Sequence, residues 1–198
     1  MTTRQPFTRV DAGLRRQSLL EATARCLAAR GAAGVSVRAI CAEAAVSPGL
    51  LRHYFAGVSE AIAETYWWTG ARVARALDEA VAAAGPEPRA RLLAYLTASF
   101  RPPIATGELL ATWLAFWSLT RSDPAIAAVH SEIYAEFRHG IVRLIAAYHP
   151  ETGDPRLPAV ALTALIDGLW LELSLGQAPF TPDEAGRLAE MWLDRLLA

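Results

Sequence analysis

Residues 36–55 have the sequence SVRAICAEAAVSPGLLRHYF, which contains the start signals of two short helices. Ser36 can cap a first helix over residues 37–44, because a serine side chain accepts a hydrogen bond from a first-turn amide. Ser47 can cap the second helix in the same way, with Pro48 in the first helical position, where no N–H is needed. A tight three-residue turn separates the two helices, so this stretch predicts a helix-turn-helix.

The rest of the chain also has the composition of helices. Ala and Leu dominate, and apolar residues do not alternate with polar ones over the length of a strand. We therefore expect an all-α protein of about nine helices. Residues 1–58 are predicted to form the helix-turn-helix domain and residues 59–198 a larger helical domain. The predicted helices lie at about 11–30, 37–44, 48–55, 59–84, 89–101, 107–120, 124–148, 157–176 and 182–197.

The formal net charge of −1 hides an uneven distribution of charge along the chain. Residues 1–58 contain eight Arg and three acidic residues, a net charge of +5, whereas residues 59–198 contain eleven Arg and seventeen acidic residues, a net charge of −6. This asymmetry predicts an anionic partner for the N-terminal segment. Because the basic segment contains the helix-turn-helix, the predicted partner is double-stranded DNA.

The second helix of the motif has the residue types that read a DNA groove. Small residues at its start allow close approach to a phosphate, Leu50 offers apolar contact, and residues 52–54 offer three hydrogen-bonding tips. The alternative interpretation is that Pro48-Gly49 is only a turn and that Arg52 is a solvated charge. The predicted DNA contacts are Ser36, Arg38, Ser47, Pro48, Gly49, Leu50, Arg52, His53 and Tyr54.

The segment from residue 19 to residue 62 resembles the tetracycline-repressor (TetR) family, in order and in register. The resemblance rests on Gly31, on SVRAI at 36–40, on AAVSPGLL at 44–51 and on HYF at 53–55. It implies an all-helical homodimer with three-helix DNA heads at one end, and it supports the DNA contacts named above. Two heads related by a two-fold axis fit a palindromic operator.

Two positions depart from the family pattern. Ala45 stands in the inter-helix turn where the family usually has Gly, and it costs about 1 kcal/mol more than Gly if the residue is left-handed. Val58 stands where the family tends to have Lys, which removes one ionic contact with a phosphate. We expect a head of ordinary or reduced affinity, compensated by Arg4 and Arg9 in the N-terminal arm.

The sequence also argues against membrane and secreted proteins. No apolar run reaches the roughly 18–20 uncharged residues of a membrane span, since residues 157–175 contain Asp167 and Glu172. The N-terminus has no continuous apolar signal segment. Cys26 and Cys41 lie in apolar helical contexts without pairing or metal spacing, so we expect reduced thiols in a cytoplasmic protein.

Residues 59–198 contain no phosphate loop, nucleophile elbow or metal-ligand pair at helical spacing. His130, His139 and His149 are nine and ten residues apart, so they do not stack on one helix face. We therefore expect no enzymatic activity, no metal and no cofactor.

Aromatic residues are the informative feature of this larger domain. Rings beside a half-buried carboxylate suit a cationic ligand, through cation–π contact and a counter-ion, although each Trp singly also fits core packing. The predicted ligand-binding residues are Trp67, Trp113, Phe116, Trp117, Tyr134, Phe137, Asp167 and Trp170. Residues 112–117 (TWLAFW) and 164–171 (ALIDGLWL) resemble the choline-responsive, BetI-type branch of the family. That resemblance implies choline or a related cation as inducer, with an unrelated hydrophobic ligand as the alternative.

Residues 162–175 are apolar on nearly all faces, which suits a helix buried at a subunit interface. The family resemblance implies that the last two helices pair with their symmetry mates as a four-helix bundle. Asp167 then has two open roles, facing the ligand or pairing with Arg187 or Arg195. The predicted interface residues are Leu165, Leu169, Leu173, Leu188, Trp192 and Leu196.

These predictions combine into a homodimeric repressor that a small-molecule inducer releases from DNA. Ligand binding would favour a conformer with a different head separation, and Trp67 is the preferred relay along the long helix. One alternative is a helical enzyme or ligand carrier whose helix-turn-helix is incidental. Another is a DNA-binding activator or nucleoid-type protein without a ligand.

Overall fold

A computed structural model describes residues 9–151 and 153–197, with side chains from residue 12 onward. Within these ranges the chain forms nine α-helices, a 3₁₀ turn over Ala32–Gly34 and no strand, which confirms the predicted all-α class. The predicted contacts of Arg4 and Arg9 lie outside the described side chains. The helices are α1 (Arg9–Arg30), α2 (Val37–Glu43), α3 (Pro48–Tyr54), α4 (Val58–Ala83), α5 (Pro88–Ala98), α6 (Gly107–Leu119), α7 (Pro124–Tyr148), α8 (Arg156–Ser174) and α9 (Pro182–Leu196).

Side-chain caps begin most of these helices, as the sequence indicates. Thr181 and Glu184 form a capping box at the start of α9, in which each side chain accepts a hydrogen bond from the other's backbone amide. The largest difference from prediction is at the end of α5, which stops at Ala98 instead of near residue 101. The residues that cap their helices with a side chain are Ser36, Ser47, Glu87, Thr106, Asp123 and Thr181.

Two hydrophobic cores lie on either side of the first turns of α4. The smaller core joins α1, α2 and α3, and it includes Leu51, Phe55 and Ala61. The larger core begins one residue later on the same helix, at Ile62, and continues through α5 to α9. The predicted division at residue 58 therefore falls in the first turn of α4, and this helix belongs to both units.

Helix α8 is long and apolar, but much of it is exposed. By length and composition it could cross a membrane, but only 33% of its most apolar window is buried, and core helices of proteins outside membranes pass the same test. One of its faces points away from the protomer, and every residue on that stripe is apolar. The stripe, with spacings of four and three residues, consists of Leu157, Ala161, Ala164, Gly168, Leu171 and Leu175.

Candidate DNA-binding and ligand-binding sites

The two serines of the helix-turn-helix are both helix caps. Ser36 Oγ accepts a hydrogen bond from the amide of Ala39 at 3.1 Å, and Ser47 Oγ accepts one from the amide of Leu50 at 3.3 Å. A hydroxyl that accepts in this way still has its own proton to donate. Both serines are exposed, so each hydroxyl is available to a phosphate oxygen.

Two arginines of the motif are exposed and unpaired. Arg38 on α2 and Arg52 on α3 form no ion pair within the described part of the chain. By contrast, Arg25 on α1 is bound to Glu43 at 2.7 Å, and this hydrogen bond raises the pKa of its guanidinium. Free guanidinium groups on one side of the head are the groups that meet phosphates and base edges.

The third predicted tip, Tyr54, differs from the first two. Arg52 and His53 are exposed, whereas Tyr54 is half-buried against the smaller core, and its hydroxyl is buried without a hydrogen-bond partner among the described residues. Successive residues of a helix point about 100° apart, so three in a row cannot all face the same groove. Tyr54 packs against the smaller core, while Pro48 and Gly49 are exposed and Leu50 is half-buried.

The turn between α2 and α3 contains the left-handed residue that the sequence allowed for. Ala45 has φ of +52°, the only positive φ of a non-glycine residue in the described ranges. A Cβ in this conformation approaches the following carbonyl, which costs roughly 1–2 kcal/mol relative to the ordinary helical region. The turn is thus formed despite a residue that disfavours it.

A cavity of about 240 Å³ lies among α4, α5, α6, α7 and α8. Its lining is mostly apolar and aromatic, with Asp167 at the inner side. Six of the eight predicted ligand-binding residues line this cavity, namely Trp67, Trp113, Tyr134, Phe137, Asp167 and Trp170.

Asp167 faces this cavity and not the arginines of α9. Its Oδ1 accepts a hydrogen bond from the Tyr134 hydroxyl at 2.9 Å, and Arg187 is instead paired with Glu184 at 3.4 Å. Burial raises the pKa of Asp167 to about 6, although the Tyr134 hydrogen bond and the positive charge of Arg138 oppose the rise. Among the described residues, Asp167 forms no ion pair with an arginine.

The rings around Asp167 are held by hydrogen bonds at their polar atoms. Trp113 Nε1 donates to the Tyr134 hydroxyl across a long 3.5 Å, and Trp170 Nε1 donates to the carbonyl of Ser99 at 2.6 Å. Trp113 also meets Trp170 edge to face, with ring centroids 5.8 Å apart. These bonds fix the orientation of the rings around Asp167.

The two remaining predicted residues lie outside the cavity. Phe116 is fully buried and stacks on Tyr66, with ring centroids 4.1 Å apart. Trp117 is half-buried, and its buried Nε1 has no partner among the described residues. Trp117 lies on the same face of α6 as Trp113, one helical turn further along. At that point the helix face no longer borders the cavity.

The sequence missed several lining residues because nothing in their spacing separates them from ordinary core or surface residues. Tyr95 on α5 is buried, stacks on Phe137 at 5.4 Å and donates its hydroxyl to the carbonyl of that residue at 3.3 Å. The charged lining residues, Asp78, Glu136 and Arg143, are exposed and form the mouth of the cavity. Only the packing of α4, α5 and α7 brings these residues to one opening.

In the residues that the structure describes, no group of three His, Cys, Asp or Glu side chains could hold a metal ion. His130 is half-buried, and its Nδ1 lies 2.9 Å from the Tyr66 hydroxyl. Burial, followed by the charge of Arg138, lowers the pKa of His130. Cys26 and Cys41 are buried free thiols, and burial raises the pKa of each.

The predicted dimer-interface residues do not share one face of the structure. Leu169 is 8% exposed and belongs to the protomer core. Leu165, Leu173, Leu188 and Leu196 are half-buried at the edge of that core, and Trp192 is 44% exposed. The exposed residues Ala164 and Gly168 directly precede the predicted interface residues Leu165 and Leu169.

Comparison with known families gives a match at each end of the chain. Residues 19–60 match the model of bacterial regulatory proteins of the tetR family. Residues 88–198 match the model of the C-terminal region of BetI-type transcriptional repressors.

Individual proteins agree with these matches. The chain is 34% identical to HTH-type transcriptional regulator BetI of Burkholderia mallei (strain NCTC 10229), over 93% of this chain and 94% of that protein. A solved transcriptional regulator from Pseudomonas aeruginosa PAO1 is 41% identical, with a TM-score of 0.86 over 95% of this chain and 92% of that one. A transcriptional regulator from Saccharomonospora viridis, solved in complex with choline, shares the fold at 22% identity, with a TM-score of 0.79 over 92% of this chain and 96% of that one.

Proposed function

We propose that this chain, which belongs to the TetR family and carries a BetI-type C-terminal domain, represses transcription until it binds a small cation. The proposed binding site lies in the larger helical domain, residues 59–198, which is called the body from here on. The BetI-type match covers more than half of the chain. The curated relatives are transcriptional regulators, so the chain is a DNA-binding regulator and not an enzyme. We infer its ligand, its assembly and its mode of action from the cavity, the exposed face of α8 and the surface of α3.

The observation that carries the ligand proposal is the half-buried carboxylate of Asp167 in a cavity walled by aromatic rings. A quaternary ammonium group has no N–H to donate, so it binds through aromatic faces and an opposite charge rather than hydrogen bonds. Asp167 supplies the charge, and Trp113, Trp170 and Tyr134 supply the rings. We therefore infer that choline or a close analogue is the inducer, in line with the choline complex of the Saccharomonospora viridis regulator.

A neutral, hydrophobic inducer is the second candidate, because the cavity lining is mostly apolar. With a pKa of about 6, Asp167 is protonated in mildly acidic solution and can then donate a hydrogen bond to a neutral ligand. The affinities for the two candidate ligands change in opposite directions with pH. A cation binds better as Asp167 ionises, whereas a neutral acceptor binds better when it is protonated.

The exposed stripe of α8 supports a homodimer through this face. Leu157 and Leu175 are 59% and 60% exposed, and an uncovered apolar stripe of this length is unfavourable in water. Gly168 lies at its centre, where a Cβ would meet no atom of the protomer within 4 Å, so the fold itself does not require glycine there. A glycine in mid-helix costs about 1 kcal/mol, and close approach of a second α8 explains its presence. Met191 and Trp192 extend the apolar face onto α9.

In this proposal the dimer presents two copies of α3 to successive major grooves of a palindromic operator. Arg52 and His53 meet base edges, while Ser36, Arg38 and Ser47 hold phosphates. Ligand binding favours a conformer in which the two heads no longer fit the operator. Release depends only on the difference in ligand affinity between the two conformers.

The test measures fluorescence anisotropy with DNA from upstream of the protein's own gene, a scrambled duplex as competitor, and choline added last. Wild-type protein is expected to bind the upstream duplex despite the competitor and to be released by choline. Asp167→Asn keeps the shape of the side chain but removes its charge, so it should bind the same DNA and lose the response to choline.

Glu132→Gln is the matched control, because Glu132 is exposed on α7 and does not line the cavity. It should behave like wild type in both measurements. Choline release that is equal in wild type and Asp167→Asn would contradict the proposed ligand site. Equal affinity for upstream and scrambled duplexes would contradict specific repression at that DNA.

A further inference from the structure

Ser99 is the first residue after α5, and its side chain differs from the other buried serine and threonine side chains of the described ranges. The buried residues of these two types are Thr23, Thr65, Thr69, Ser99, Thr112 and Thr163. All five threonines donate their hydroxyl to a backbone carbonyl. The Ser99 hydroxyl forms no hydrogen bond with a described residue, although Ser99 is only 4% exposed.

Ser99 lies at the cavity, in the turn where α5 has ended. The sequence predicts a helix to about residue 101, but α5 ends at Ala98, and Ser99 lines the cavity. Its carbonyl accepts the hydrogen bond from Trp170 Nε1 at 2.6 Å, which holds this residue against the aromatic wall. Its Oγ is not sealed by protein, in contrast to the buried and unpartnered polar atoms of Tyr54 and Trp117. The free hydroxyl therefore opens onto the cavity.

The other buried side-chain donors of the cavity lining are used within the protein. Those that donate to a protein oxygen are Tyr95, Trp113, Tyr134 and Trp170. Asp167 receives one of these hydrogen bonds at Oδ1, and its Oδ2 accepts none from a described residue. The inner side of the cavity thus offers a ligand two unpaired side-chain groups, a carboxylate oxygen and a hydroxyl.

The indole of Trp170 connects these two groups. Trp170 follows Asp167 by three residues on α8, so the two side chains are neighbours on one helix face. From that face the indole extends to Ser99, where its N–H is bound. A ligand that lies along the indole has the carboxylate at one end and the Ser99 hydroxyl at the other.

We propose that Ser99 is a specificity-determining residue of the cavity and that the ligand is an amino alcohol with a quaternary nitrogen. This rests on the proposed function, in that the cavity binds a small cation. Asp167 and the rings hold the nitrogen, and the Ser99 hydroxyl forms a hydrogen bond with the hydroxyl of the ligand. A site that hydrogen-bonds a ligand hydroxyl rejects the analogue without it, because the buried polar group is then left unpaired.

The first arm of the test compares choline with propyltrimethylammonium, in which a methyl group replaces the hydroxyl. Isothermal titration calorimetry of DNA-free protein measures both Kd values at a pH where Asp167 is ionised. Wild type is expected to bind choline at least about tenfold more tightly than the methyl analogue. Ser99→Ala should lose that preference, with a choline Kd at least about tenfold higher and a propyltrimethylammonium Kd within about twofold of wild type.

Two controls separate a ligand contact from a structural role. Ser131→Ala should keep the preference of wild type, because the Ser131 hydroxyl donates to the carbonyl of Ala127 on its own helix. Ser99→Ala removes no hydrogen bond within the described protein, so its thermal unfolding midpoint should not fall. A general disturbance of the cavity would weaken both ligands together and leave their ratio unchanged.

The second arm uses 3,3-dimethyl-1-butanol, the neutral carbon isostere of choline. Ser99→Ala should weaken its binding by the same factor as that of choline, whereas Asp167→Asn should weaken only choline. If wild type ignores both cations but binds the neutral alcohol in a Ser99-dependent way, the proposed cation is wrong and the role of Ser99 stands.

The opposite outcome is equally distinct. If wild type binds choline and propyltrimethylammonium with equal affinity, or if Ser99→Ala weakens both by the same factor, the role of Ser99 is overturned while the cation site stands. If wild type binds none of the three compounds, both the cation proposal and the role of Ser99 are overturned.

Discussion

The DNA head and the body place their charged and apolar groups in opposite ways. In the head, the unpaired Arg38 and Arg52 are exposed and the core is small and closed. In the body, Asp167 is half-buried in a cavity and an apolar stripe of α8 is exposed. The difference teaches that the two units present different kinds of surface. The head exposes charge around a closed apolar core, whereas the body holds a half-buried charge inside and exposes an apolar face outside.

The largest effect is expected on the outer face of the body. Leu171→Asp places a charge on the exposed stripe, and in a two-fold dimer the change occurs twice in the same contact. We expect the dimer dissociation constant to rise at least 100-fold, on the order of 3 kcal/mol, because an unpaired charge is buried on association. Analytical ultracentrifugation measures this. Leu14→Asp, at an exposed leucine of α1, should leave the assembly unchanged, and a Leu171→Asp protein that stays dimeric would refute the α8 interface.

The outer face of the head should respond next. Arg52→Ala is expected to weaken specific operator binding by about 1–3 kcal/mol if Arg52 contacts a base, and to leave choline binding unaffected. Anisotropy titrations against operator and scrambled duplexes at fixed salt test the change. Arg75→Ala provides the comparison, since Arg75 is an exposed arginine on the body part of α4. Equal losses for the two variants would mean that net charge, and not a base contact, determines affinity.

The inner side of the body should respond to pH. The pKa of Asp167 is raised to about 6, and a bound cation favours the ionised form, so choline affinity should be full above pH 6. Below that value it should fall about tenfold per pH unit. In ligand-free protein, a rise in pH is expected to lower stability instead. Burial penalises the ionised carboxylate, so its contribution to the free energy of unfolding is lost as pH rises from about 4 to about 6.

Calorimetry of wild type and Asp167→Asn at several pH values tests both expectations. Titration with choline measures the affinity, and thermal unfolding measures the stability. The variant should bind choline weakly at every pH, and its stability should lack the loss between pH 4 and 6. A wild-type affinity that is constant from pH 5 to 7 would exclude Asp167 as the counter-ion.

The smallest effect is expected at the turn of the head. Ala45→Gly removes the strain of a Cβ at φ of +52°, partly offset by the greater entropy of glycine in the unfolded chain. We expect a gain of about 0.5–1 kcal/mol in the free energy of unfolding, measured as a higher urea midpoint. Operator contacts should be retained. A loss of stability in this variant would show that the left-handed turn is not strained.

The head could be predicted almost entirely from sequence because its structure is local. Ser36, Pro48 and the three-residue turn act on neighbouring amides, so their identities determine the helix starts. The left-handed conformation of Ala45 was considered because the family that this segment resembles usually has Gly at that position. Only Tyr54 differs, because its direction around α3, and not its place in the chain, decides what its hydroxyl can reach.

The body could be predicted in part, since composition indicates an aromatic pocket but not its boundary. Trp113 and Trp117 are equivalent by helical spacing, yet only Trp113 lines the cavity. Tyr95 carries no periodic pattern, and it reaches the cavity through the packing of α5 on α7.

The sequence by itself determined the all-α class, the helix boundaries and the polar face of the head, because caps, turns and charge act over a few residues. Tertiary structure alone decided which side of α8 is exposed, since a helix that is apolar on all faces has no periodicity to separate a core face from an interface. It also decided which side chain contacts Asp167 within the protomer, because the hydrogen bond from Tyr134 depends on the rotation of α8 against α7. Burial of that one carboxylate among distant rings is a property of packing, and no local pattern contains it.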